Sequence, residues 1–410
     1  MRKNMLAMLA CASVIASSCS SDDDNNVSTN HQEKVHLLSS EMQHVRDYVP
    51  ENAVIAHRGT SYWAPESTEA AYRWARNIGA DYLEADLQIT KDSVILVVHD
   101  NLLTRTSNIN KIYPDRAEDP ASTFTYEELL KLDAGTWFNH DKNTSPDRAR
   151  TSFSTQKQYI STLEDVIMFA QGKRLKRDAN GERIWKKTNT GYTFEYEDDP
   201  ADNGNRPGIY IETKEPSLNP GIEKALVKEL DRLGWNIINK PATESDHFKN
   251  GKVNVGNTNG KVVLQTFSHN SLLILKDIFK GNIPTALLFW KGKGPDDIHD
   301  DQEATYIKHI NFGVDNLAQF IGPSIAGGTP PDNWPELLEP WQAKLIHESG
   351  MKIHPYSFDN EEQMGKYFSS CDGMFTNQSD LTIRFYHEKQ LRNEGPAYQN
   401  AKTVLTDLGY

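Results

Sequence analysis

Cysteine is scarce in this chain. Of 410 residues only three are cysteines: Cys11, Cys19 and Cys371. Two of them sit near the N-terminus, so the rest of the chain has one thiol and can form no internal disulfide. Long apolar runs are also missing. Met5 to Ala16 is an apolar run of 12 residues, which is signal-peptide length and too short to span a bilayer. No later run is long enough to cross a membrane. Positive charge is in deficit: 44 Lys and Arg stand against 57 Asp and Glu, a net charge of -13. That balance argues against nucleic acid as a partner and gives no general attraction to anionic membrane. Any anionic substrate must rely on local cations. No internal repeat is present.

What the chain does have is chemistry concentrated between Val54 and Thr106. There lie Ala56-His57-Arg58-Gly59, Pro65-Glu66-Ser67-Thr68, Glu84-Ala85-Asp86 and Val97-Val98-His99-Asp100. Ala53 to Ala56 predicts a short buried strand, with His57 and Arg58 just past its end. Glu66 to Ala75 has helical spacing and begins beside Pro65. Asp81 to Thr90 predicts a second strand, and Ser93 to Val98 a third that ends in His99-Asp100. Glu84 and Asp86 lie two apart, so their side chains share one face. Two carboxylates facing one way repel each other, and a cation between them resolves this. All-oxygen ligation suits Mg²⁺ or Ca²⁺ rather than Zn²⁺. Gly208 to Lys214 is another strand pattern, with Glu212 and Lys214 on one face. A carboxylate beside a lysine suits a metal ligand next to a phosphate contact. Ionisable groups at successive strand ends are the pattern of an active-site face on a barrel.

Each residue alone has an ordinary reading. A lone Glu-x-Asp is usually a solvated strand face, and most of the 13 histidines are surface or structural; His269, His299, His309, His347 and His354 are assigned no role. The joint occurrence is what carries the functional reading. Glu66 either contacts the site or braces the first helix. Asp100 and Gln265 read as supporting residues.

The order and spacing of these motifs resemble the glycerophosphodiester phosphodiesterase family, within the phosphatidylinositol-phospholipase-C-like superfamily. The likeness runs over roughly residues 50 to 385. Beyond the motifs above it includes Gly79-Ala80-Asp81, Thr90-Lys91-Asp92, Leu103-Thr104-Arg105-Thr106, Leu132 to Phe138, Thr162-Leu163-Glu164, Gln265 to Ser268 and Asp372 to Thr376. The resemblance implies a distorted (β/α)₈ TIM barrel, a fold of typically ~250 residues and up to more than ~400 with insertions. It implies hydrolysis of glycerophosphodiesters to glycerol 3-phosphate and an alcohol. Glu84, Asp86 and Glu212 would hold one divalent cation, Ca²⁺ or Mg²⁺. His57 and His99 would be the general acid and base, in an order the sequence leaves open. Arg58 and Lys214 would bind phosphate oxygens. The chain departs from the family at Ser67, usually Asn. It departs again at Tyr356-Ser357, usually Trp-Thr, and at Thr376-Asn377-Gln378-Ser379, usually Thr-Asp-x-Pro. These departures bear on the pocket wall and on the leaving alcohol. The competing readings are a related phosphodiester substrate (a lysophospholipid, a phosphoinositol compound or an envelope polymer) and an inactive surface binding protein. The intact histidines, carboxylates and lysine argue against the last.

The N-terminus reads as a targeting segment. Arg2 and Lys3 precede the apolar run, and Ala16-Ser17-Ser18-Cys19 resembles a bacterial lipoprotein signal, although the usual Leu three residues before the Cys is absent. Residues 1–18 are then a signal peptide and Cys19 a lipid anchor. Residues 19–35, with Ser20 to Asn26 polar and acidic, form a flexible tether. This places the chain in the cell envelope, bound to membrane through lipid alone and meeting a small-molecule substrate. The barrel domain is assigned to 36–395, with insertions at 105–160 and 173–206, and 396–410 is a C-terminal tail. A first helix is expected over His31 to Tyr48. One insertion holds a helix at Thr125 to Leu132. The other holds a protruding hairpin, Arg183 to Lys187 with Tyr192 to Tyr196. Further helices are expected at Pro220–Leu233, Ser271–Phe279, Trp334–Ser349 and Glu361–Phe368. Further strands are expected at Val262–Thr266, Thr285–Phe289, Asn316–Ile321, Lys352–Tyr356 and Gly373–Thr376. Oligomeric state is not legible.

Overall fold

A computed structural model describes residues 34–189, 191–327 and 334–410. The signal peptide, the Cys19 anchor and nearly all of the tether lie outside the described residues. No helix among the described residues is long and apolar enough to cross a membrane.

Eight parallel strands form the frame. They are β1 (Ala53–Ala56), β2 (Tyr82–Ile89), β3 (Gly208–Thr213), β4 (Val262–Thr266), β5 (Thr285–Phe289), β6 (Phe320–Pro323), β7 (Lys352–Ile353) and β8 (Gly373–Thr376). They pair in the order β7-β6-β5-β4-β3-β2-β1-β8. The two ends of this path meet, where Asp372 N donates to Ile353 O at 2.8 Å and Phe375 N to Pro355 O at 3.2 Å. A helix follows each strand, so the sheet is a nearly closed (β/α)₈ barrel.

The strand period of two separates the barrel's two cores. Ala53, Ile55, Tyr82, Tyr210, Val263, Ala286, Phe320 and Phe375 point inward and fill the barrel. Val54, Ala56, Leu83, Ala85, Leu87, Ile209, Ile211, Val262 and Leu264 point outward into the main core beneath the helices. Glu84, Asp86, Glu212 and Gln265 continue the inward rows above that apolar plug.

Several boundaries differ from the sequence reading, each for a local reason. The first helix is Ser40–Arg46, because the Ser39 side chain caps it through the amide of Met42. The next is Glu69–Ile78, capped by Thr68; Ser67 has a φ of +58°, so the chain cannot be helical from Glu66. The helix expected from Trp334 begins at Pro340, where Glu339 and Gln342 form a reciprocal cap. The strand expected over Lys352–Tyr356 stops at Ile353. The segment Ser93–Val98 is not a barrel strand. Only Ile95–Val97 is extended, and it runs antiparallel to β2, with Leu87 opposite Val97. β2 therefore overshoots the rim and folds back.

The insertions are joined to each other and to the barrel. Trp185–Thr188 and Gly191–Phe194 do pair as a hairpin, but it is docked rather than protruding. Tyr192 Oη donates to Asp92 at 2.6 Å, and the Tyr126 ring meets Tyr192 and Phe194 edge-on at 5.5 Å. Behind it, buried Arg183 binds Asp165 at 2.8 Å and Tyr126 Oη at 2.6 Å. The segment read as a tail carries the helix Ala401–Asp407, whose Ala401 carbonyl accepts from Trp74 Nε1 at 3.0 Å.

Asp199 ties the second insertion to the helix Glu69–Ile78. It accepts from Arg73 at 2.7 and 2.8 Å and from Arg76 at 2.6 Å. Burial opposes its ionisation, yet the two guanidinium groups hold its carboxyl down at about 2. Asp199→Ala leaves two buried cations facing each other and is expected to cost about 3–5 kcal/mol, read as a lower urea midpoint. Because the folded pKa lies below the ordinary 3.8, this stabilisation is present above about pH 4 and is lost as pH falls toward 2. The variant should therefore lose less stability than wild type across that window.

Candidate active site

Strand register assembles the site. Pairing of β2 with β3 sets Asp86 beside Glu212, and pairing of β3 with β4 sets Glu212 beside Gln265. Glu84 lies two residues below Asp86 on the same inward row. Glu84, Asp86 and Glu212, all buried, each present an oxygen within 4.8 Å of the others.

The turn after β1 supplies the next contacts. Arg58 and Gly59 have φ values of +53° and +80°, which turn the Arg58 amide toward β2, where it donates to Glu84 Oε2 at 2.7 Å. Only glycine fits second in this turn: a Cβ on Gly59 would lie 2.9 Å from Ala71. Glu84 Oε1 accepts from Gln265 Nε2 at 3.2 Å. Lys214 Nζ stands 3.3 Å from Glu212 and 3.8 Å from Asp86. The Arg58 guanidinium reaches Glu66 at 3.0 Å and approaches Asp86 at 3.7 Å.

These groups do not balance. Burial and repulsion from Asp86 and Glu212 push Glu84 well above the usual carboxylate range. Burial, with Asp86, pushes Glu212 up to about 7, against the pull of Lys214. Burial also opposes ionisation of Asp86, but His99, Lys214 and Arg58 outweigh it and hold Asp86 down. Asp86 Oδ2 and Gln265 Oε1 are buried without hydrogen-bond partners. A buried all-oxygen cradle with an unsatisfied carboxylate oxygen fits a hard divalent cation.

The histidines flank the cradle. His57 follows β1, and its Nδ1 meets Asn377 Oδ1 at 2.8 Å. Burial, with Arg58 adding, drives it down to about 3, so it is neutral. His99 arrives on the folded-back strand, where Val98 N donates to Asp86 O at 3.0 Å. Its Nδ1 meets the Asp100 carboxylate at 2.6 Å. Burial and Arg58 lower His99 too, and the opposing pull of Asp86 and Asp100 only partly offsets them. Asp100 and Glu66 are bridged by Arg105, at 2.5 Å to Asp100 and at 2.7 and 2.9 Å to Glu66. Arg58 and His99 thus belong to one ion network.

All seven residues singled out for the site, His57, Arg58, Glu84, Asp86, His99, Glu212 and Lys214, line one cleft of about 480 Å³. Phe267, Trp290, Trp334 and Tyr356 form its aromatic wall. Glu66 contacts the site through Arg58 rather than bracing the helix alone. Of the histidines assigned no role, none lines this cleft; His354 is buried in the barrel interior against Tyr210. Arg105, Asp359 and Asn377 line the adjoining cleft, and the sequence reading gives them no role. Arg105 and Asn377 stand in motifs compared with the family, whereas Asp359 has no signal of its own.

A family model described as the glycerophosphoryl diester phosphodiesterase family matches residues 57–197. A glycerophosphodiester phosphodiesterase of Bacillus subtilis (strain 168) is 29% identical over 328 residues, covering 80% of this chain and 84% of that protein. A glycerophosphoinositol inositolphosphodiesterase of Mus musculus is 37% identical over 138 residues, 32% of this chain and 25% of that protein. A solved structure from Silicibacter pomeroyi DSS-3, assigned as a glycerophosphoryl diester phosphodiesterase, covers 86% of this chain and 97% of its own, with a TM-score of 0.55 at 16% identity. At that identity the likeness speaks for the fold.

Cation binding at this cradle should be linked to protons. With Glu84 raised and Glu212 at about 7, the metal-free site retains protons at neutral pH that a cation must displace. Affinity for Mg²⁺ or Ca²⁺ should rise with pH through about 7, and calorimetry in buffers of different ionisation enthalpy should show proton release. Binding that is independent of pH across this range would contradict the assigned ligands.

Proposed function

The chain belongs to the glycerophosphodiester phosphodiesterase family, and from that premise we propose that it hydrolyses glycerophosphodiesters to glycerol 3-phosphate and an alcohol. One observation supports this most: a buried three-carboxylate cradle, two cations and two differently partnered histidines share one cleft. Arg58 and Lys214 bind and orient the phosphoryl oxygens. When bound, a divalent cation held by Glu84, Asp86 and Glu212, Ca²⁺ or Mg²⁺, supplies further positive charge to offset the charge that develops there.

The two histidines divide the proton work. His57 is neutral, and with Nδ1 turned to the Asn377 carbonyl oxygen its Nε2 lone pair is free toward the cleft. It removes the proton of the attacking hydroxyl. His99 has a carboxylate behind it, which stabilises its imidazolium form. It gives its proton to the departing alcohol oxygen as the P–O bond breaks. Atoms balance over the cycle: water contributes a hydroxyl to phosphorus and a proton to the alcohol.

The N-terminal sequence supports an envelope location, with Cys19 carrying lipid and the following residues spacing the barrel from the bilayer. A lipid adds membrane affinity at ~0.8 kcal/mol per buried methylene.

Turnover of a glycerophosphodiester panel should cease in excess EDTA after dialysis and return with Mg²⁺ or Ca²⁺. Glu84→Gln should weaken cation binding. His57→Ala and His99→Ala should each lower kcat by ~10²–10⁴-fold, non-additively. Near-wild-type rates in either variant on a substrate with a poor leaving group would remove that residue from the mechanism. Separately, Cys19→Ala should move the protein from the membrane fraction to the soluble fraction with turnover intact; a variant that stays membrane-bound places the anchor elsewhere.

A further inference from the structure

The partner of His57 is an amide, and an amide is ambiguous in a way a carboxylate is not. Turned one way, Asn377 offers its carbonyl oxygen to the ring; turned the other, it offers an NH₂ group. The first holds His57 with its proton on Nδ1 and leaves Nε2 as a base. The second forces the proton onto Nε2 and abolishes the base. Something must choose.

The choice lies with Asp359. Asn377 Nδ2 donates to Asp359 Oδ1 at 2.6 Å. Burial raises the pKa of Asp359, and the hydrogen bond from Asn377 works against that by favouring the carboxylate. A carboxylate can only accept, so the amide nitrogen faces Asp359 and the carbonyl oxygen faces His57 at 2.8 Å. Asp359 is itself held. Its amide donates to Gln363 Oε1 at 2.7 Å, and its carbonyl accepts from Gln378 Nε2 at 2.5 Å. Phe358 N donates to Phe375 O at 2.7 Å and Asn377 N to Phe358 O at 3.0 Å, which ties this stretch to the end of β8. On the other side, Asn377 O accepts from Thr60 Oγ1 at 2.8 Å, in the turn that follows His57.

We propose that Asp359 is a positioning residue for the reaction: by dictating which way the Asn377 amide faces, it sets the tautomer of His57. The inference deepens the hydrolytic reading, but its central readout needs no substrate. It also accounts for an amide at position 377 doing the orienting task without placing a charge beside the ring.

Two variants and their combination test it. Asp359→Asn replaces the acceptor with a group that can donate or accept, so Asn377 is free to turn. The ¹⁵N spectrum of the His57 imidazole, identified by its loss in His57→Gln, should change from one neutral tautomer to a mixture. In turnover, kcat should fall about tenfold, with KM nearly unchanged. Asn377→Asp should likewise lose activity, because two carboxylates then face each other. The double variant Asp359→Asn/Asn377→Asp exchanges donor and acceptor, and should recover most of the kcat lost in either single variant. A single tautomer in Asp359→Asn, with wild-type kcat, overturns the proposal. So does a double variant no better than the worse single, provided it melts like wild type. If Asp359→Asn does not fold, recovery in the double variant still decides. Wild-type protein inactive on every glycerophosphodiester would defeat the functional reading alone, since the imidazole spectrum still reports on Asp359.

Discussion

Three carboxylates are held together where water cannot screen them, and much of the upper barrel is arranged around that repulsion. At an effective dielectric near 20, two unit charges at about 4 Å repel by about 4 kcal/mol. Glu84, Asp86 and Glu212 sit at such spacing. Neighbouring groups with charge or a dipole are turned to them: the Arg58 amide on Glu84, the Gln265 amide on Glu84, and Lys214 between Glu212 and Asp86. The remaining excess is met by raised pKa values at Glu84 and Glu212. A site that must keep protons to tolerate its own charge is one in which a cation can replace them. The same apolar plug of Tyr82, Tyr210 and Phe375 that makes the barrel stable lies below the cradle and keeps its dielectric low.

The two histidines show how environment differentiates identical side chains. Both are half-buried near Arg58, which disfavours their charge. The difference lies behind the ring. Asn377 offers His57 a neutral oxygen, while Asp100 offers His99 a negative one. Asp100 in turn shares Arg105 with Glu66, and Glu66 shares Arg58. Arg58 and His99 are therefore linked through one network of ion pairs. Arg105 enters it from the start of the first insertion, so that segment contributes to the site as well as covering the barrel.

The motifs shared with the family make the barrel, the cradle residues and both histidines legible in the sequence. Strands such as Ala53–Ala56, Val262–Thr266 and Thr285–Phe289 are plain there because strands buried on both faces are continuously apolar. Helix starts are less plain. Thr68, Ser39 and the pair Glu339 with Gln342 set them through caps a few residues inside the expected spans. Ser93–Val98 reads as a barrel strand and is not one, because an apolar run does not state whether its partner is parallel. The strand turns back on β2, and this antiparallel return is what brings His99 level with Asp86.

By itself, then, the sequence determined the residue types of the site, the inward alternation that groups Glu84 with Asp86 and Glu212 with Lys214, and the order of strand and helix. These follow from local periodicity and short motifs. Tertiary structure alone decided the register that sets Asp86 beside Glu212, the docking of the hairpin Trp185–Phe194 on Tyr126, and the chain from Asp359 through Asn377 to His57. Those contacts join residues as far apart as His57 and Asn377, separated by 320 positions. No local pattern encodes them, because they exist only once the ring of strands brings its ends together.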